Sequence, residues 1–352
     1  MNLIKYTLIL LLFATSCKKE EKDDQVITGK DGFKNGLLVL NEGLFQHNNS
    51  SLTWVDLENG EVTENLFLNI NDRLLGDTGN DMVSYGGKIY ITVTGSSTLE
   101  ILDKKSLKSI GQIQFNYNNQ SQEPRKIAYH ENAIYVTSFD GYVTAIDTTS
   151  LNITKRIKVG RNPEGICVSN QSLYVANSGG LDFQNPDTTV FQIDLNTLNV
   201  VDTFTVGKNP GAIIADEFDN VYVVKRGDYA SDPAELIRIN TQSKTITNLG
   251  ITATSLSMRN NQLYLSYFDH GSGSSAVSIY DCASQTIITN NFINNQDITT
   301  LYGVTPYLED ELICQDAMDF TNTGYLRFFN LTGQLTNSIK VGLNPNTTIH
   351  YE

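Results

Sequence analysis

Apolar positions along the chain come in short bursts, not at helical spacing. The segment Arg161–Gly207 shows the unit, reading RNPEGICVSNQSLYVANSGGLDFQNPDTTVFQIDLNTLNVVDTFTVG. Its four apolar runs, Gly165–Val168, Leu173–Ala176, Val190–Asp194 and Val200–Val206, are separated by Gly, Asn, Asp and Pro clusters. Short runs with turn residues between them predict an antiparallel meander of four strands. The second run recurs seven times, as Leu37-Leu38-Val39, Ile89-Tyr90-Ile91, Ile134-Tyr135-Val136, Leu173-Tyr174-Val175, Val221-Tyr222-Val223, Leu263-Tyr264-Leu265 and Leu312-Ile313-Cys314. The third run ends each time in an Asx residue: Asp56, Asp103, Asp147, Asp194, Asn240, Asp281 and Asn330. Such side chains close tight turns by accepting backbone N–H bonds two or three residues on, so these positions are scaffold.

One meander cannot cover both of its faces, and repeats at this spacing bury them against one another. The predicted fold is therefore all-β: a seven-bladed β-propeller over residues 36–352, with blade strands apolar on both faces. The fourth run closes on Val159-Gly160-Arg161-Asn162-Pro163, Val206-Gly207-Lys208-Asn209-Pro210 and Val341-Gly342-Leu343-Asn344-Pro345. The third copy opens a new blade at the end of the chain, whereas the copy at Gly36 starts at the second strand of its blade. Each end supplies what the other lacks, so the C-terminal strand completes the N-terminal blade and removes an exposed edge. Helix signals are nearly absent, and Asp103–Lys108 reads as a turn.

Composition narrows the function. The formal charge is -14 over 352 residues, with no cluster of basic residues after Lys22. A nucleic-acid surface needs such clusters, so that class is set aside. His47, His130, His270 and His350 lie far apart and show no zinc-site spacing. Asp316, Asp319 and Thr321 near Gly324 could hold calcium, but their spacing lacks the regular ligand pattern of a calcium loop. No metal and no cofactor is expected. Cys167, Cys282 and Cys314 read as small apolar core residues, and Trp54 as packing inside a blade strand.

Residues 1–17 carry Lys5, an apolar run from Tyr6 to Phe13, then Ala14-Thr15-Ser16-Cys17. This is a signal peptide, too short for a mature membrane span, and its end resembles a bacterial lipobox with Cys17 as the lipidated residue. Ordinary secretion with cleavage nearby is the alternative. Residues 18–35 begin with KKEEKDD and read as a charged tether.

In a four-strand meander the loops after the second strands share one end of the ring with the connections between blades. Positions alike in every copy serve the architecture, and positions unlike one another on a shared face are free for a ligand. Tyr90, Tyr135, Tyr174, Tyr222 and Tyr264 fall in the first class. The residue two places past each frame falls in the second: Asn41, Val93, Ser138, Asn177, Lys225, Tyr267 and Asp316. The same end gathers Phe45, His47, Phe183, Arg226, Tyr229, Phe268, His270, Tyr302 and Phe320, with Gln46 and Gln184. These aromatics either cover their own loops or meet a flat, amide-bearing ligand or a protein partner.

The V-G-x-N-P, L-Y-V-A-N and F-Q-I-D-L-N-T motifs resemble those of YncE-like seven-bladed propellers across nearly all of 36–352. With the lipobox, Asn41-Glu42-Gly43, Tyr302-Gly303-Val304 and Asp316–Phe320, the chain is similar to the Bacteroidetes surface-lipoprotein branch that includes BtuG-type proteins. That resemblance implies an outer-membrane lipoprotein facing the medium, anchored by lipid alone, which captures cobalamin or another corrinoid for a TonB-dependent transporter. No cobalamin contact carries over residue by residue. A surface scaffold for proteins or glycans remains the alternative reading. An extracellular lactonase or quinoprotein is a third, against which the chain shows no nucleophile–base constellation, so it is read as not an enzyme.

Overall fold

The computed structural model describes residues 32–180, 182–269, 271–293 and 297–352. The expected signal peptide with Cys17, most of the expected tether and His270 lie outside the described residues. Seven sheets of four antiparallel strands form the ring. The innermost strands of blades two to seven are Gly79–Tyr85, Pro124–His130, Pro163–Ser169, Pro210–Ala215, Ser255–Arg259 and Leu301–Pro306. Blade one takes its innermost strand, Pro345–Tyr351, from the end of the chain. That strand runs antiparallel to Gly36–Asn41, with Gly36 opposite Tyr351 and Asn41 opposite Pro345. Around this seam Trp54 meets Phe33 and Tyr351 edge-on, at ring-centroid distances of 4.9 and 5.2 Å. A Cβ on Gly36 would stand 2.2 Å from the Trp54 ring, so only glycine lets the strand pass.

Each apolar cluster draws on two neighbouring blades, those around the seam included. Tyr174, Val190 and Phe204 of blade four pack with Ile213, Val221 and Ile237 of blade five. The second strands are buried along almost their whole length, as blade-on-blade packing requires. The outermost strands depart from the expectation of two apolar faces. Ser109–Gln114 alternates between half-buried and exposed, because a strand at the rim has a neighbour on one edge only and water beyond the other. The recurring tyrosines are buried, and the three cysteines are free buried thiols.

All seven Asx positions end third strands and close the turns that follow. Asp147 Oδ1 accepts from Thr149 N at 3.2 Å and Ser150 N at 2.7 Å, and Asn240 Oδ1 accepts from Ser243 N at 2.8 Å. Two elements were not foreseen. A six-residue helix, Leu66–Asn71, follows the two-residue outer strand of blade one and buries Leu66 and Phe67 in the seam core. It is flanked by Asn65 and Asp72 in left-handed conformation and has no side-chain N-cap, so the usual signals are missing. Between blades two and three, Asn116–Tyr117 pairs with Gln120–Ser121 around Asn118 and Asn119, both at positive φ. That is the geometry an Asn-Asn hairpin turn favours.

Candidate functional site

The V-G-x-N-P repeat builds the mouth of the channel, and each letter has a backbone reason. The glycine lies against the last residue of a second strand: a Cβ on Gly160 would meet Asn177 Cγ at 2.4 Å, and one on Gly342 would meet Asn41 Cγ at 2.5 Å. The asparagines Asn162, Asn209 and Asn344 sit at φ of 45°, 55° and 56°, a region Asn tolerates better than most side chains. Proline then starts the inner strand. Asn344 Nδ2 donates to Gly43 O at 2.9 Å, tying the end of the chain to the loop of blade one.

Just past this point six of the seven inner strands lose register, a bulge that re-aims one side chain. The bulge residues are Asn80, Arg125, Glu164, Gly211, Tyr302 and Asn346, and their contacts run from strand to strand. Tyr302 Oη donates to Glu42 Oε2 at 2.5 Å, and Asn346 Nδ2 donates to Gly79 O at 2.8 Å and to Glu42 Oε2 at 3.4 Å. With its amide oxygen turned to the guanidinium, Asn80 accepts from Arg125 Nη1 at 3.2 Å. Arg125 then grips Glu164 with two bonds, Nη2 to Oε1 at 2.8 Å and Nε to Oε2 at 3.2 Å. A polar arc thus runs from blade seven through one, two and three to blade four. It stops at blade five, where the bulge residue is Gly211, and at blade six, whose inner strand Ser255–Arg259 has no such bulge.

Electrostatics follow from depth. Burial works against the charges of Arg125 and Glu164, but their pairing outweighs it: the Glu164 carboxyl is held below its ordinary range and the Arg125 guanidinium above. Tyr302 is 36% exposed, with its hydroxyl turned to Glu42 and its ring against Phe320. Burial, then the neighbouring Glu42 carboxylate, pushes its phenol well above the ordinary value, so it stays a neutral donor.

The anticipated ligand column lies beneath this surface. Asn41, Asn177 and Asp316 are fully buried last residues of second strands. Asn177 accepts from Gly160 N at 3.1 Å and donates to Thr189 Oγ1 at 3.1 Å. Asp316 accepts from Thr300 N at 2.9 Å and Arg327 Nε at 3.2 Å. Lys225 is clamped between Asp232 at 2.5 Å and Glu235 at 2.9 Å. These side chains secure loops, and a covered atom cannot meet a solute. Asp319 turns back to cap Thr321 N at 3.0 Å and Asn322 N at 2.8 Å, its own loop. Among the described residues no group of three His, Cys, Asp or Glu converges as metal ligands would.

The aromatics do stand on the mouth face. Phe45 is 68%, Tyr229 63% and Phe183 58% exposed. Phe183 and Tyr229 meet edge-on at 6.0 Å, as do Tyr302 and Phe320 at 5.8 Å. His47 is exposed, with Nδ1 2.9 Å from Phe45 O. Phe268 belongs to a strand and not to a loop, because the hairpin of blade six extends to Asp269 opposite Ser274. Sequence reasoning missed Asn80, Arg125, Glu164 and Asn346. Their signal was present: the residue after each proline differs from copy to copy, as Arg125, Glu164, Gly211 and Asn346.

Two solved structures share the architecture. A quinoprotein alcohol dehydrogenase-like protein from Bacteroides thetaiotaomicron is 16% identical, with TM-score 0.64 over 91% of this chain and 79% of that one. The computationally designed Ika8 protein is 10% identical, with TM-score 0.57 over 89% and 90% of the two chains. Identities this low establish the propeller fold alone. No curated protein matches the sequence. A family model described as a domain of unknown function matches residues 35–305, more than half of the chain, and the chain therefore belongs to that family, DUF5074.

Proposed function

We propose that the protein is a binding protein, not an enzyme, and that it captures a solute at the mouth of its central channel. The observation that carries this reading is the interrupted arc. One backbone device is repeated in six blades, yet it presents five residue types, Asn, Arg, Glu, Gly and Tyr, and leaves an opening at blades five and six. Exposed aromatic edges and faces surround that opening. Such a surface suits a flat solute with a polar rim.

A corrinoid is the first candidate, on the strength of its planar ring and amide-bearing edge and of the YncE-like and BtuG-type resemblance. Lipid anchoring at Cys17 on the outer face of the outer membrane, and delivery to a TonB-dependent transporter, complete the proposal. The path of the chain supports this orientation. Phe33 N donates to Lys105 O at 3.3 Å, in an Asx turn on the face opposite the mouth. An anchored propeller would turn its mouth away from the membrane.

The test is co-elution of the purified full chain with cyanocobalamin at micromolar concentration, followed by visible absorbance. Bound colour is expected, and its absence removes the corrinoid. The exposed, paired rings of Phe183 and Tyr229 favour a second reading, a scaffold for a protein partner. A partner that binds stoichiometrically without any small solute would support it. Turnover of any substrate lost on substituting a single mouth carboxylate would overturn the non-enzymatic reading.

A further inference from the structure

We propose that Arg226 is the anchoring group of the mouth site and that the solute it takes carries a carboxylate or phosphate. This rests on the capture reading above and specifies its chemistry.

All eight arginines of the chain are described, and seven of them donate to a carboxylate, an amide oxygen or a carbonyl. The Arg226 side chain alone makes no hydrogen bond or ion pair among the described residues, although it is half-buried. A guanidinium that has lost part of its hydration without gaining a partner is unfavourable, so fold stability does not explain its placement.

Its position is fixed from two sides. The backbone is pinned where Arg226 N donates to Asn209 O at 2.9 Å, and Gly227 follows at a φ of 71°. The head lies over blade five's own bulge: a Cβ on Gly211 would stand 2.8 Å from Arg226 Cζ. Glycine at that one point of the column makes room for the guanidinium where the other five bulges place a side chain of their own. The charge of Arg226 is felt both by Glu164 in blade four and by Tyr302 in blade seven, which sets it over the channel.

The acids of its own loop, Asp228 and Asp232, are paired with Lys208 and Lys225, and those of the arc are engaged as well. Glu164 is held by both arms of Arg125, and Glu42 by Tyr302 and Asn346. Five N–H donors in a planar fork, left unclaimed at an opening, match the paired oxygens of a carboxylate or phosphate. Three residues on, Tyr229 accepts from Asn209 Nδ2 at 3.1 Å and abuts Phe183, offering aromatic surface for the rest of the solute. The chain's net charge of -14 repels anions at long range, but salt screens that field while a contact pair at a half-buried site is screened far less.

The experiment is an NMR titration of the full chain, reading the Arg226 side-chain Nε–H and the Gly211 amide. The probes are benzoate, phenyl phosphate, neutral benzamide and cationic benzylamine. Saturable shifts with at least one anion are expected, and which anion binds assigns the group. The affinity for that anion, read at the Gly211 amide, should fall roughly tenfold or more in Arg226→Met. In Gly211→Ala, where the charge remains but its head is displaced, the fall is read at Arg226 Nε–H. Arg161→Met, which removes a rim arginine already paired with Asp182, should leave the affinity unchanged. The inference is overturned if neither anion shifts these signals, if Arg226→Met binds anions as well as wild type, or if benzamide or benzylamine binds as tightly as the anions. Cyanocobalamin co-eluting equally with wild type and Arg226→Met, with no anion binding, would leave capture standing and remove only the anion assignment. Anion binding at Arg226 without corrinoid binding would do the reverse to the corrinoid.

Discussion

The two faces of the ring are made by opposite rules. On one, a single device is copied seven times: an Asx side chain ends the third strand and accepts the amides of the turn, from Asp56 with Glu58 N at 2.8 Å to Asn330 with Thr332 N at 3.1 Å. On the other, a single backbone device, the bulge behind V-G-x-N-P and its equivalents, carries five different residue types over the six blades that have it. Repetition of side chains marks what any propeller needs in order to close. Repetition of backbone under changing side chains marks where this propeller departs from its own repeat, and that is where we place its function.

The harshest way to break the contrast is to remove the ring on which both faces depend. Deleting Leu343–Glu352 takes away the inner strand of blade one, the Trp54–Tyr351 contact and Asn346 from the arc. Thermal melting should shift down sharply or lose cooperativity, and an unchanged melting temperature would contradict ring closure. Next comes Glu164→Gln, which strands the Arg125 guanidinium in a buried setting. Removing one partner of such a pair costs about 3–5 kcal/mol, to be read by urea denaturation. Cutting the turn face should cost less and the same in every blade. Asn240→Ala, losing the bonds to Ser243, is expected to cost about 1 kcal/mol and to leave solute binding intact.

Acid sharpens the contrast further. Hydrogen bonds from the turn residues hold Asp103, Asp147, Asp194 and Asp281 below the ordinary carboxylate range. A lowered folded pKa means stability that is complete above the unfolded value of about 3.9 and is lost as pH falls through the folded value. Melting temperature should therefore drop below about pH 4, and less steeply in Asp147→Asn. The smallest stability effect belongs to Arg226→Met, within about 0.5 kcal/mol in denaturation, since the side chain has no partner to lose.

Much of the fold was legible because its repeat is written in residues with backbone duties. Asn162, Asn209 and Asn344 need left-handed φ, Gly160 and Gly342 need close approach, and the Asx residues need to cap turns. The helix Leu66–Asn71 was not, since six residues without a cap carry no period. The site was half legible. Comparing copies singles out the mouth face, where we propose the site, and the exposed Phe45, Phe183 and Tyr229 lie there. The column chosen, Asn41 to Asp316, varies for another reason: each residue fits the glycine or loop packed over it in its own blade. Only pairing across strands separates that column from the one beside it, where Arg125 and Glu164 stand.

The account is tested most directly by hydrogen–deuterium exchange of the full chain with and without each proposed solute, cyanocobalamin first and the tighter of the two phenyl anions second. Slowed exchange is expected along the bulges at 79–81, 124–126, 163–165, 210–212, 301–303 and 345–347 and in the loop at 226–233, with the seven Asx turns unchanged. Protection on the turn face, or on neither face with solute bound, would contradict it.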